Sequence, residues 1–364
     1  MMTAFEQLNT IGSGSYEPED VHLLLRKMNV EPTDVEEKER LIQSGARHYS
    51  EMISQESAPL PAHQALFDHV LNQNADRMAR EVQMLAQGVS EEFPAGPIVL
   101  VSLVRAGVPL GVLLRRGLSD LDREVHHYGV SIIRDRGIDM VAMEAIIAKH
   151  GADNIVFVDG WTGKGAISGE LDRCFACDTR FKKPLPLVVL ADPCGKAWMA
   201  ASHEDWIIPS GILGATVSGL VSRSIWPSDE GLHGCVMYDH LQDHDVSVPF
   251  IEAVEQKRQR LPAQMASVPW LKDEQLNLQA RALRVVKKIA ADAQITNFNR
   301  IKPGIAEATR AVLRRVPERV LVTSLEDPDV QLLKILTERA GIEVEEVGDA
   351  IAPYRAVTVI QRVA

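Results

Sequence analysis

The segment that most constrains this chain is Ile155-Val156-Phe157-Val158 followed by Asp159, Gly160, Trp161, Thr162, Gly163, Lys164, Gly165 and Ala166. A short apolar run reads as a strand buried on both faces, and it ends in a carboxylate. A glycine-rich turn and a helix start follow. Strand, glycine loop and helix N-terminus together form an anion cradle, with unpaired N–H groups facing the loop and no Cβ atoms to block a close approach. The phosphate-binding residues expected here are Thr162, Gly163, Lys164, Gly165 and Ala166, with Asp159 placed to hold hydroxyls.

A chain of 364 residues with 46% hydrophobic residues can bury a sizeable core and divide into two units. Its start, Met1-Met2-Thr3-Ala4-Phe5-Glu6, has neither the basic head nor the apolar core of a signal peptide. No apolar run is long enough to span a bilayer, so no membrane partner is expected. Four cysteines in this length do not build a disulfide framework, which points to the cytoplasm. The net charge is −11, yet residues 271–364 hold 15 basic and 13 acidic residues. Residues 281–319 hold 10 basic and 3 acidic ones. Such a local excess of cations fits an anionic partner, nucleic acid among them.

Residues 1–19 lack periodicity and are expected as an extended arm. Val21 to Leu25 reads as a short helix, 33–56 as a helix and 62–88 as a long amphipathic helix. From Ile98 the pattern alternates: strands at 98–103, 125–133, 155–158 and 187–190, helices at 109–118, 140–150 and 167–178. Trp206-Ile207-Ile208 and Cys235 to Tyr238 are weaker strand candidates. The alternation predicts an α/β fold, a parallel sheet with helices on both faces. Residues 250–270 read as a charged, proline-interrupted connection, with the linker proper at 261–270. A small α-β-α unit follows at 271–364: helices 272–293, 304–315 and 328–340, strands 319–323, 342–347 and 356–361. The first unit is then 1–260.

Two further loops join the candidate site. Ser102 to Gly107 leaves a strand through Arg105, Ala106 and Gly107, and Ser131 to Asp139 carries Arg134 and Arg136. In a parallel sheet the Asp159 loop and the Ser102 to Gly107 loop emerge at the end where ligands bind. The glycine loop is not a Walker A loop, since Gly165 follows Lys164 where that motif requires Ser or Thr.

The Asp159 loop resembles the 5-phosphoribosyl 1-diphosphate loop of type I phosphoribosyltransferases. Together with Gln43-Ser44-Gly45-Ala46-Arg47-His48-Tyr49 and Ser131 to Asp139, it resembles a bacterial family found near tellurium-resistance operons. That family is described as a phosphoribosyltransferase-like domain fused to a Pelota-type (L7Ae-like) RNA-binding domain, and it also carries the name cysteine protease StiP. The resemblance implies a stress-response protein that binds a phosphorylated ribose, with a role in making a nucleoside or nucleotide derivative. It implies displacement at the anomeric carbon, with Asp159, Lys164, Arg105, Arg134 and Arg136 in catalytic roles. Arg105, Ala106 and Gly107 would form the diphosphate loop, and Mg²⁺ would be held through the diphosphate with no direct protein ligand. One departure stands out: type I enzymes carry two adjacent acids, and here Asp159 is followed by Gly160. In the C-terminal unit the resemblance implies structured RNA on Lys302, Gly304, Glu307, Arg310 and Arg314. Aromatic residues for stacking are scarce there, Phe298 and Tyr354 besides Trp270. A homodimer stays open.

A second enzyme class fits the same residues. A cysteine peptidase needs a thiolate, an imidazole and an orienting group. Cys235 has His233 and His240 nearby in sequence, and Cys194 has His203. Cys174 and Cys177 form a lone CxxC without the second pair that structural zinc requires. A third class is a sensor that binds nucleotide and RNA without turnover.

Overall fold

A computed structural model describes residues 8–262, 264–267 and 272–362. The first unit runs β1 (His22–Leu23), β2 (Arg26–Lys27), α1 (Val35–Gln43), α2 (Pro61–Glu92), β3 (Ile98–Val104), α3 (Val108–Ser119), β4 (Val125–Ile133), β5 (Gly137–Ile138), α4 (Met140–His150), β6 (Ile155–Val158), α5 (Ala166–Cys174), β7 (Leu187–Ala191), β8 (Met199–Ser202), β9 (Gly234–Cys235) and α6 (Ser247–Arg258). The second runs α7 (Lys272–Asp292), β10 (Ile301–Pro303), α8 (Ile305–Arg314), β11 (Pro317–Val322), α9 (Gln331–Ala340), β12 (Val344–Glu346) and β13 (Ala356–Ile360).

The central sheet has the order β1-β4-β3-β6-β7-β8, every pair parallel, with β5 antiparallel on β4. Its strands are apolar on both faces because both faces are covered. In β3, Ile98, Leu100 and Val104 face the layer that contains Met78, Leu85, Leu113 and Phe250 of α2, α3 and α6. Val99, Val101 and Leu103 face Met143, Ile146 and Leu171 of α4 and α5. This two-residue alternation is what a strand between two helical layers must show. The C-terminal sheet has the order β10-β13-β11-β12, antiparallel except for β11 with β12. Among the described residues, no helix is long and apolar enough to cross a membrane.

Several expectations need correction. Val21 to Leu25 contains the edge strand β1, because its backbone pairs with β4. The helix expected over 33–56 is shortened to α1, with a separate 3-10 turn at Tyr49–Glu51; Asp34 caps the start of α1, and Gly45 turns left-handed at φ +71° just past its end. The described part of the N-terminal arm is not extended but folds into turns, with the Tyr16 hydroxyl donating to the Val217 carbonyl. Trp206 to Ile208 is a buried irregular segment, and the strand expected over 235–238 is Gly234–Cys235 only. The connection expected from residue 250 is largely helix α6, which buries Phe250, Ile251 and Val254. Strand β10 was not anticipated. Trp270 lies outside the described residues.

The two units share one core. Ile305, Ala308, Leu333 and Leu336 pack in the same cluster as Met78, Trp206 and Ile207. The seam between them forms the candidate site.

Candidate active-site cleft

The β6–α5 loop projects from the sheet toward the C-terminal unit. Gly107 lets the β3–α3 turn lie against β6: a Cβ there would sit 2.1 Å from the Val158 carbonyl oxygen. Gly165 is left-handed at φ +78° and caps α5. Lys164 reaches across the seam and donates to the carbonyls of Phe298 and Ile301. Tyr354 is buried and donates to the Gly163 carbonyl at 3.0 Å, so it does not stack on a base. Asp205 closes the contact: its two oxygens accept the Ile305 N–H at 2.9 and 3.0 Å and the Arg355 N–H at 2.8 Å.

Between the units lies a cavity of about 370 Å³. It brings together Arg105, Ala106, Arg134, Asp159, Thr162, Gly163, Lys164, Gly165 and Ala166 from the first unit with Lys302, Glu307, Arg310 and Arg314 from the second. The loop residues and the α8 residues thus meet in one cleft, although they were expected to serve two different ligands. Arg136, Gly107 and Gly304 lie outside the lining. Arg136 pairs with Glu51 and stacks over Trp226. With Lys38, Arg223 and Arg315, the described lining holds nine cationic side chains against the carboxylates of Asp159 and Glu307. That donor set does not fit a divalent cation, and among the described residues no group of three or more potential ligands converges.

The charges in this cleft are strongly perturbed. Burial pushes the Asp159 carboxyl up to about 7, although it accepts the Gly160 N–H at 2.8 Å. Burial, with Lys302 and Arg134 nearby, brings the Lys164 ammonium down to about 7. Burial and the Arg314 charge lower Arg310 to about 10, and its guanidinium stacks 4.6 Å over the Trp161 ring. Two groups poised near neutrality on one loop, Asp159 and Lys164, are the kind of acid–base pair an active site uses. Arg105 is already committed: it donates to the Val221 carbonyl and pairs with Glu56.

The cysteines are distributed unevenly around this cleft. Cys194 is buried behind the glycine loop, with its thiol 3.2 Å from Thr162 Oγ1 and 3.7 Å from Asp192. Thr162 lines the cavity and donates to the same Asp192. Burial, with Asp192 beside it, pushes the Cys194 thiol well above its usual range. Cys235 is fully buried away from the cleft, and burial pushes it up to about 12. Its sequence neighbours are engaged elsewhere. The His233 ring hydrogen-bonds Ser131 Oγ at 2.7 Å, and His240 hydrogen-bonds the Glu56 carbonyl at 2.9 Å. Among the described residues no histidine lines the cleft. Sequence reasoning missed Glu56, Asp192 and Asp205. A lone carboxylate in a loop carries no local signal of the partner it meets across the fold.

Residues 14–255 match the model of a family described as tellurite-like stress resistance cysteine protease StiP. A curated relative, the cysteine protease StiP of Acinetobacter baylyi, is 54% identical over 363 residues, covering 96% of this chain and 94% of that one. The chain belongs to the StiP family. Residues 280–362 match the Pelota RNA-binding domain. Among solved structures, a hypoxanthine phosphoribosyltransferase of Trypanosoma cruzi matches at 14% identity over 35% of this chain and 77% of its own, with a TM-score of 0.29. The same enzyme in complex with its product IMP matches at 15% identity over 35% and 72%, also with a TM-score of 0.29. Likeness this weak carries no argument.

These findings overturn the expectation of a phosphoribosyltransferase that binds 5-phosphoribosyl 1-diphosphate. The StiP relative that matches nearly end to end bears the name of a cysteine protease, as does the family model. The side chains expected on the sugar phosphate are occupied by protein: Lys164 by Phe298 and Ile301, Thr162 by Asp192, Arg105 by Glu56.

Proposed function

We propose that this StiP-family chain is a cysteine-type peptidase joined to a module that binds structured RNA. The observation that carries the peptidase reading is the 54% identity to the cysteine protease StiP across nearly the whole chain. The Pelota match supports the RNA-binding reading of residues 280–362.

Cys194 is the nucleophile we favour. It is the thiol separated from the cleft by a single side chain, Thr162, and it lies at the sheet end where α/β proteins bind ligands. In acylation, Sγ bonds to the scissile carbonyl carbon and the C–N bond breaks. The thiol proton passes to a base and then to the leaving amine, and water releases the acyl group. Among the described residues no histidine lines the cleft, and the base in contact with the thiol is the Asp192 carboxylate, 3.7 Å from Sγ, which takes that proton. The cationic lining would hold the tetrahedral oxyanion and favour substrates that carry carboxylates. In the closed arrangement the thiol is protonated and covered, so turnover requires the seam to open at Cys194.

The test is hydrolysis of fluorogenic peptides by the full chain and by Cys194→Ser and Cys235→Ser variants. Cys194→Ser should lose roughly a thousandfold or more in rate, and Cys235→Ser should lose little. Loss only in Cys235→Ser would transfer the role to that residue. Hydrolysis surviving in both variants, or absent from the parent, would sink the peptidase reading.

A further inference from the structure

The helix face expected to meet RNA is turned inward. Lys302, Glu307, Arg310 and Arg314 line the cleft, and Asp205 occupies the N–H of Ile305 at the start of α8. Ile305 and Ala308 are fully buried in the core shared with the first unit. A cleft of about 370 Å³ has room for one small ligand and not for a folded nucleic acid.

The opposite side of the module is open. Helix α7 buries Ala282, Val285, Val286 and Ile289 and exposes Arg281, Arg284, Lys287 and Lys288. Arg281, Arg284 and Lys288 lie three and four residues apart, so they share one face. They form one wall of a groove of about 420 Å³, and Asp349, Ala350 and Ala352 line the other. Among the described residues Arg281 and Arg284 have no ion-pair partner, and Lys288 has only the exposed Asp292 at 2.7 Å.

We propose that RNA binds the intact chain along this α7 groove, with the sugar–phosphate backbone on Arg281, Arg284 and Lys288. The inference rests on the RNA-binding reading of the module and assigns it a different surface. On a chain with net charge −11, an unneutralised cationic row is where a polyanion is attracted. Arg281 to Lys288 spans about 10 Å of helix, close to the axial rise of about three phosphates on one strand. The small side chains of Ala350 and Ala352 leave room for a backbone. Asp349, an acceptor inside the groove, can take the hydrogen bond of a ribose 2′-hydroxyl, which favours RNA over DNA.

The test is fluorescence anisotropy of a fluorescein-labelled RNA hairpin with the full chain over a range of salt. Replacing Arg281, Arg284 and Lys288 together by Ala should weaken binding at least about tenfold at low salt. It should also lower the slope of log affinity against log salt by roughly two to three. Lys302→Ala, in the cleft, should bind like the parent. All four residues are surface or cleft side chains, and unchanged thermal unfolding would show that the variants fold. If the parent binds and the triple variant binds equally, or if Lys302→Ala is the one that weakens, the α7 assignment falls while the RNA-binding reading stands. If the parent binds no RNA, both fall. Equal affinity for a DNA hairpin, or tighter binding of polyglutamate, would overturn the choice of RNA.

Discussion

Asp205 of the first unit caps helix α8 of the second: both carboxylate oxygens lie within 3.0 Å of the Ile305 nitrogen, and one also accepts the Arg355 N–H. The cap is supplied across the seam, so one side chain ties helix formation in the module to docking of the module. Asp205→Ala leaves buried N–H donors unsatisfied and should lower stability by about 1–3 kcal/mol in denaturant unfolding. Burial pushes Asp205 up to about 7 from its ordinary 3.8. The folded chain therefore keeps a proton that the unfolded chain has released, and stability falls as pH rises from about 4 to 7. Asp205→Asn cannot titrate, so its stability relative to the parent should improve across that window. A constant difference would show that Asp205 has an ordinary pKa.

Glu56 behaves in the opposite sense. Burial would raise its carboxyl, but Arg105 and Arg314 beside it bring it down to about 2 from 4.5. Its contribution is fully present above pH 4.5 and is lost as pH falls toward 2. Glu56→Gln leaves Arg105 without its ion-pair partner at 4% side-chain exposure and should cost about 3 kcal/mol near neutral pH. On acidification from 4.5 to 2 the gap between variant and parent should close. Unfolding curves at several pH values measure it, and a gap that persists at the acid end would refute the pairing.

The sheet was legible where local pattern and tertiary role agree. Ile155 to Val158 stands between Asn154 and Asp159, so its ends and its burial on both faces follow from composition alone. Val125 to Ile133 and Met140 to His150 were legible for the same reason. Val21 to Leu25 was not, because a short apolar run has no period and only pairing with β4 decides its state. Ser247 to Arg258 read as a connection because its charged end outweighed Phe250, Ile251 and Val254, whose burial depends on α2 and α3. The loops of the candidate site could be found from glycine spacing. Their meeting with Arg310 and Arg314 could not, because it is a property of how the two units dock.

The same docking governs thiol reactivity. Gln275 Nε2 donates to the Ala197 carbonyl and Gln279 Nε2 to the Gly195 carbonyl, each at 2.6 Å, so α7 holds down the turn that carries Cys194. In the intact chain a maleimide should label the exposed Cys177 quickly and Cys194 and Cys235 slowly. Replacing Gln275 and Gln279 by Ala removes two hydrogen bonds worth about 0.5–1.5 kcal/mol each. Labelling of Cys194 should then accelerate by roughly tenfold, with Cys235 unchanged as the internal control. Mass spectrometry of the labelled chain reads both sites. Equal acceleration at Cys235 would mean global loosening, and no acceleration at Cys194 would mean that α7 does not guard it.

Two glycines of the cleft region set opposite expectations for one substitution. At Gly107 a methyl group would lie 2.1 Å from the Val158 carbonyl oxygen, which is backbone at the end of a central strand and cannot step aside. Gly107→Ala must push the Arg105 turn away from β6, so it should destabilise the chain by roughly 2 kcal/mol or more and alter the cleft. At Gly169, inside α5, a methyl group would meet nothing within 4 Å. Gly169→Ala should therefore stabilise by about 0.5–1 kcal/mol through helix propensity and reduced freedom of the unfolded chain. Thermal unfolding of the two variants side by side checks both signs. A neutral Gly107→Ala would mean that the β3–α3 turn is not packed on β6 as described, and the placement of Arg105 at the cleft would fall with it.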